Sequence, residues 1–258
     1  MSNYHLEIKV VSRGKGQSVT RRANYISGER LHDIYSGETY YRHRNDVLFC
    51  HIFQPDGVPS HFHDLQQLCT EIDKSEIRYD ARTARELVGS LPNELRLQEL
   101  IQIVSEYINR NFVEYRLGAI AAIHEGRNEK DPSRNNPHVH IIVPTRTVGP
   151  DGFCRTKDRE HNKREYINIW RREWADVQNR AYERNQLDIR VSHESLEVQG
   201  KRDREPTIHL SRIDWQKEIK GERTLAGDRK RAIKKRNEER IQQRQLEWER
   251  RLEMEMSR

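Results

Sequence analysis

The stretch NNPHVHIIVP at 135–144 sets the tightest limit on how this chain can fold. A β-strand sends successive side chains to opposite faces, so His138 and His140 share one face while Val139, Ile141 and Val143 share the other. One face can pack a core while the other presents two imidazoles. A second apolar strand, RLGAIAAIHE at 116–125, ends at His124, and the polar turn EGRNEKDPSRNN links the two. Adjacent antiparallel strands joined in this way would gather all three imidazoles. Three neutral histidines on a rigid sheet leave open positions on a divalent ion, which a Lewis-acid catalyst needs and a closed structural site lacks. An isolated H-x-H pair would fit exposed or hydrogen-bonded histidines equally well; the third histidine, Pro137 and the apolar back face favour metal binding.

The other elements surround this pair. Residues 4–10 alternate Tyr4, Leu6, Ile8 and Val10 against His5, Glu7 and Lys9, a half-buried strand, and the basic loop SRGKGQ follows. Ser18 can cap a helix running to Ser27, in which Arg21 and Tyr25 stand four apart on one side. Short strands fit 38–42 and 47–53. From Ser60 the spacing of Phe62, Leu65, Cys69 and Ile72 is helical. Residues 83–91 are extended, with Glu86 on the face of Ala84 and Val88. Asn93 can cap a helix carrying Leu97, Leu100, Val104, Ile108 and Phe112. A second long helix, 162–186, aims Trp170 and Trp174 at the sheet. The order predicts an α+β fold: an antiparallel sheet with helices packed on it. Neither a G-x-G-x-x-G nor a P-loop pattern is present, so nucleotide binding by those routes has no support.

Charged residues make up 34%, equal to the apolar fraction, and much of the chain must be solvated. Residues 228–258 are mostly charged and, without Pro or Gly, read as a long exposed helical tail. Net charge is +6, a lean toward a polyanionic partner. No run of about 18 apolar residues exists to insert in a membrane, and the first residues lack a signal peptide, so a cytoplasmic protein is expected. Cys50, Cys69 and Cys154 form no CxxC pair, which argues against a disulfide framework or a thiolate zinc knuckle.

Tyr25 is a candidate nucleophile. A tyrosine is poorly nucleophilic at its unperturbed pKa near ~10 and needs a metal, a base or a cationic setting to favour the phenolate. Arg21 and Arg22 supply positive potential within a turn. The competing role for this tyrosine is to pack its helix on the sheet.

Four collinear blocks now carry a resemblance: ANYISGERLHD at 23–33, TARELVGSLPNEL at 83–95, IHE at 123–125 with NPHVHII at 136–142, and HESLEVQGKRDREPTIHL at 193–210. Together they resemble the MobA/MobL family of plasmid mobilisation relaxases, strand-transferring endonucleases of the HUH class. The resemblance implies a five-stranded antiparallel relaxase sheet within residues 1–210, with 211–258 a linker and charged helical tail. It also implies origin-specific nicking of single-stranded plasmid transfer-origin DNA by metal-assisted transesterification, with a reversible 5′-phosphotyrosine adduct. The family tyrosine falls on Tyr25 and the metal ligands on His124, His138 and His140. The family's acidic residue falls on Glu86, which would hold the tautomer of a ligand imidazole. The cofactor would be a divalent ion, Mn or Mg foremost, with Zn or another transition metal as alternatives. Partners would be single-stranded and hairpin origin DNA, bound by a monomer, together with accessory mobilisation proteins and a coupling protein.

Two departures stand out. Ile26 occupies a position where relatives commonly carry Arg, removing a possible phosphate contact, and the 14 positions from His124 to His138 are long for the family. Backbone contacts to DNA are expected from Lys15, Arg21, Arg22, Arg42, Arg44, Lys201, Arg202 and Arg204, with Tyr40 and Tyr41 as a stacking platform. The alternatives are a replication initiator of the same class, a metal-dependent single-strand nuclease, or a non-catalytic DNA-binding protein.

Overall fold

The computed structural model describes the chain apart from residues 1–3, 129–130, 132–134, 202–203, 209 and 257–258. Two compact units, Met1–His193 and Glu194–Arg258, divide it.

The first unit is built on alternation. Strands β1 (Leu6–Ser12), β4 (Val47–Phe53), β5 (Arg82–Ser90), β6 (Ala119–His124) and β7 (His138–Pro144) form one antiparallel sheet in the order β1-β5-β7-β6-β4. Two minor hairpin pairs lie outside it: β2 (Leu31–His32) with β3 (Thr39–Tyr40), and β8 (Val148–Gly149) with β9 (Gly152–Phe153). The expected strand at 38–42 is therefore two residues long, and it pairs away from the main sheet.

Each face of the sheet buries a separate cluster. Leu87, Val139, Ile141, Val143, Ala121 and Ile123 pack under α3 (Leu97–Asn111) and α4 (Glu165–Arg184), and Trp170 and Trp174 lie in that layer. Ala84, Ile120, Ala122 and Ile142 pack under α1 (Val19–Ser27) and α2 (Leu65–Lys74), through Val19, Ala23, Ile26, Leu68, Cys69 and Ile72. Burial of both faces explains why β6 is apolar up to His124 while β1, at an edge, alternates.

Local chemistry sets the helix ends. Ser18 accepts the Arg21 amide and caps α1, as its sequence position predicts, while Asp64 accepts the Gln67 amide and caps α2. The helical spacing from Ser60 divides at this cap, into a short 3₁₀ turn at Ser60–His63 and then α2. Asn93 does not begin α3; residues 93–95 bend first, and the helix starts after Arg96 without a side-chain cap.

In the second unit, α5 (Arg212–Ile219) is capped by Ser211 and precedes α6 (Leu225–Met256). Glu218 closes the turn between them, accepting from the Thr224 amide at 2.7 Å and pairing with Arg231 at 2.6 Å. Glu205 holds Arg236 and Arg240 at 2.8 and 3.0 Å. The expected charged helix is present, and Ile241 and Trp248 on it are more than half exposed.

Gly89 on β5 sits against the buried indole of Trp174: a Cβ there would meet the ring at 2.7 Å. The ring has no empty space to move into. Gly89→Ala is expected to destabilise the first unit by about 1–3 kcal/mol, read as a lower denaturation midpoint. An unchanged midpoint would mean that the indole yields.

Candidate metal centre and nucleophile

The β6–β7 register assembles the imidazoles. His124 lies directly opposite His138, and Ala122 opposite His140. Alternation turns all three side chains to the face covered by α1, while Val139 and Ile141 hold β7 from behind. A ligand-capable nitrogen of each histidine lies within 4.8 Å of the others, and the ring centroids are 4.9–5.3 Å apart.

The neighbours decide which nitrogens remain free. A backbone carbonyl only accepts, so a ring nitrogen beside one must carry the proton, and the other nitrogen of a neutral imidazole keeps its lone pair. His124 Nε2 donates to the Ile26 carbonyl at 2.8 Å, and His138 Nδ1 donates to the Asn136 carbonyl at 2.8 Å. His140 Nδ1 faces Glu86 Oε1 at 3.1 Å, and the carboxylate accepts in the same way. The lone pairs left are on His124 Nδ1, His138 Nε2 and His140 Nε2. His124 Nδ1 is buried without a hydrogen-bond partner among the described residues. An orphaned acceptor of this kind costs stability unless something occupies it, and a divalent cation fits three such lone pairs.

Burial favours the neutral form of His124 and His138, the form that metal binding requires. Burial pushes the His124 pKa down to about 4, despite the opposing bond to Ile26, and burial lowers that of His138 too. Glu86 is itself buried, which would raise its pKa, but His140 and Arg22 outweigh that and hold it below the ordinary value. Arg22 reaches the second Glu86 oxygen at 3.4 Å. Glu86, on β5, thus lies between His140 and Arg22.

Tyr25 reaches this centre because of how α1 ends. The last four carbonyls of a helix have no partner inside it. At the end of α1, the Asn24 carbonyl takes the amide of Gly28, whose φ of 77° closes the helix in the left-handed conformation. The Tyr25 carbonyl accepts from Arg44 Nη1 at 3.1 Å, and the Ile26 carbonyl is the one that accepts from His124. The half-buried Tyr25 ring then lies edge-on to His140 and His124, at centroid distances of 5.7 and 6.3 Å. Ile26 itself is fully buried in the core beneath α1.

The expected DNA contacts separate. Arg42 and Arg44 both lie over the Tyr25 ring, with Cζ at 5.2 and 4.6 Å from the centroid. Arg21 is exposed with its guanidinium 5.7 Å from the Tyr40 ring, and Tyr41 and Lys15 are exposed. Arg22 turns inward to Glu86. Lys201 and Arg204 are exposed members of the second unit, and Arg202 lies outside the described residues.

Asp46 is the site residue that sequence reasoning missed. It binds Arg44 through both oxygens, Nε at 2.8 Å and Nη2 at 2.5 Å, and the guanidinium holds its pKa at about 2. The carbonyls of Ile26 and Asn136 were equally hidden, since a backbone group leaves no mark on residue type.

Comparison with known proteins gives the chain a family. Residues 17–220 match the model of the MobA/MobL family. A probable mobilization protein MobA of Bifidobacterium longum is 30% identical over 252 residues, covering 81% of this chain and 43% of that protein. A mobilization protein MobL of Acidithiobacillus ferridurans is 29% identical, covering 81% and 62%. This chain therefore spans about half the length of these relatives. A solved protein from work on the molecular basis of vancomycin resistance transfer in Staphylococcus aureus superposes with a TM-score of 0.68 at 27% identity, over 75% of this chain and 100% of that one. By fold, by its histidine cluster and by the length of sequence matched, this chain belongs to the MobA/MobL family.

Proposed function

We propose that the chain is a relaxase that nicks one strand of plasmid transfer-origin DNA and stays joined to its 5′ phosphate through Tyr25. One observation carries this reading: the helix bearing Tyr25 ends on a hydrogen bond to His124, one of three histidines whose free nitrogens converge. A nucleophile and a cation site are thereby fixed to each other.

In this reading His124, His138 and His140 hold the divalent ion, with Glu86 fixing the tautomer of His140 and Arg22 bracing Glu86. Such an ion supplies positive charge to a non-bridging oxygen of the scissile phosphate. Nitrogen ligands favour Mn, Zn and other transition ions on intrinsic affinity, while availability favours Mn or Mg. The Tyr25 phenolate attacks phosphorus in line. The Tyr25 Oη–P bond forms, the P–O3′ bond breaks, and the departing 3′ oxygen takes up a proton. The adduct is a phosphodiester like the one it replaced, so the reverse reaction restores the strand without a nucleotide cofactor.

The substrate of this reading is single-stranded origin DNA with its adjoining hairpin, delivered with accessory mobilisation proteins and a coupling protein. Nicking is assigned to residues 1–210, with 211–258 a linker and tail. Among the described residues no helix is long and apolar enough to cross a membrane.

With candidate origin oligonucleotides and Mn, the unaltered chain is expected to form a covalent adduct that survives denaturing electrophoresis. Tyr25→Phe should abolish the adduct and leave oligonucleotide binding intact. Persistent nicking by Tyr25→Phe would instead mark a metal-dependent nuclease or an initiator using another tyrosine. Glu86→Gln is expected to weaken Mn binding by about 10–100-fold, measured by titration calorimetry. Unchanged Mn affinity would remove Glu86 from the support of His140.

A further inference from the structure

Arg44 stands between two roles that the sequence leaves open, a contact to the DNA backbone or a part of the protein's own machinery. A guanidinium has five N–H donors in a fixed fork. Two of them, on Nε and Nη2, go to the two oxygens of Asp46, and one on Nη1 goes to the Tyr25 carbonyl. The side chain is only 12% exposed. Its Cβ also packs at 3.4 Å from where a Cβ on Gly28 would stand, so the residue closes over the end of α1. The plane of charge lies 4.6 Å from the Tyr25 ring centroid, within cation–π range.

We infer that Arg44 is a positioning residue for Tyr25 and not a contact to the DNA backbone; the inference rests on the nicking reading above for its catalytic consequence. Asp46 fixes the guanidinium, the guanidinium fixes the tyrosine's backbone, and its face bounds one side of the ring. In-line attack needs the reacting atoms about 3–3.5 Å apart and aligned, and a displacement of about 1 Å can cost on the order of a hundredfold in rate. The charge also sits beside the phenolate as it forms, already oriented, so no reorganisation accompanies the step. Asp46 offsets that charge toward any polyanion at a distance, as a residue spent on positioning allows and a phosphate clamp does not.

The two roles predict opposite behaviour in two variants. Asp46→Asn removes a negative charge and releases Arg44. If Arg44 is a phosphate clamp, this variant binds origin oligonucleotide more tightly with a steeper salt dependence, and Arg44→Gln flattens the log K against log salt slope by about 0.7. If Arg44 positions Tyr25, both variants lose about 10–100-fold in nicking rate at saturating oligonucleotide, while affinity and salt slope stay as in the unaltered chain. A second readout needs no DNA. With 3-fluorotyrosine at position 25, the ¹⁹F resonance of the unaltered chain is expected to lie away from that of a free residue, and to move toward it in both variants. An unmoved resonance, or a flattened slope with an intact rate, overturns the inference. If the unaltered chain forms no adduct, the nicking reading fails, and the fluorine resonances alone decide whether Arg44 holds the ring.

Discussion

The hydrogen bond from His124 to the Ile26 carbonyl joins the two halves of the site. It satisfies a carbonyl that the end of α1 would otherwise leave bare, it fixes the proton on Nε2, and it thereby frees Nδ1 toward the other imidazoles. One contact thus satisfies a helix-end carbonyl, sets a tautomer and ties the helix that bears Tyr25 to the sheet. The sheet register supplies the counterpart, since His124 opposite His138 brings the pair together only if β6 and β7 align residue for residue.

Much of this could be read from residue pattern because sheets obey a period of two. Alternation in HVHIIVP put His138 and His140 on one face, and the short apolar run ending at His124 supplied the third imidazole. Glu86 lay on the correct face of β5 for the same reason, and pairs opposite Ile142, two residues beyond His140 on that face. Tyr25 was legible through the Ser18 cap, which fixed where α1 begins and so where its fourth and seventh residues point.

Contacts made by backbone or by loop residues were not legible. Arg44 and Asp46 lie between β3 and β4, where no periodicity fixes direction, and a pair two apart in a loop reads the same whether it meets solvent or an aromatic ring. The cap of α3 was misread for a related reason: Asn93 suits a cap, but the bend at 93–95 moves the helix start beyond it. In the same way, the burial of Ile26 could not be read from its place in α1, because it depends on what α1 packs against.

The three histidines and Tyr25 also depend on different parts of the structure. The three histidines stand on β6 and β7, each with hydrogen-bonded strands on both sides, so exposing them requires disruption of the centre of the sheet. Tyr25 rides on a helix of nine residues, too short to persist without tertiary contacts, and tied at its far end by single bonds. Tyr25 therefore owes its place to the packing of Val19, Ala23 and Ile26 beneath α1, whereas the histidines owe theirs to the register of the sheet.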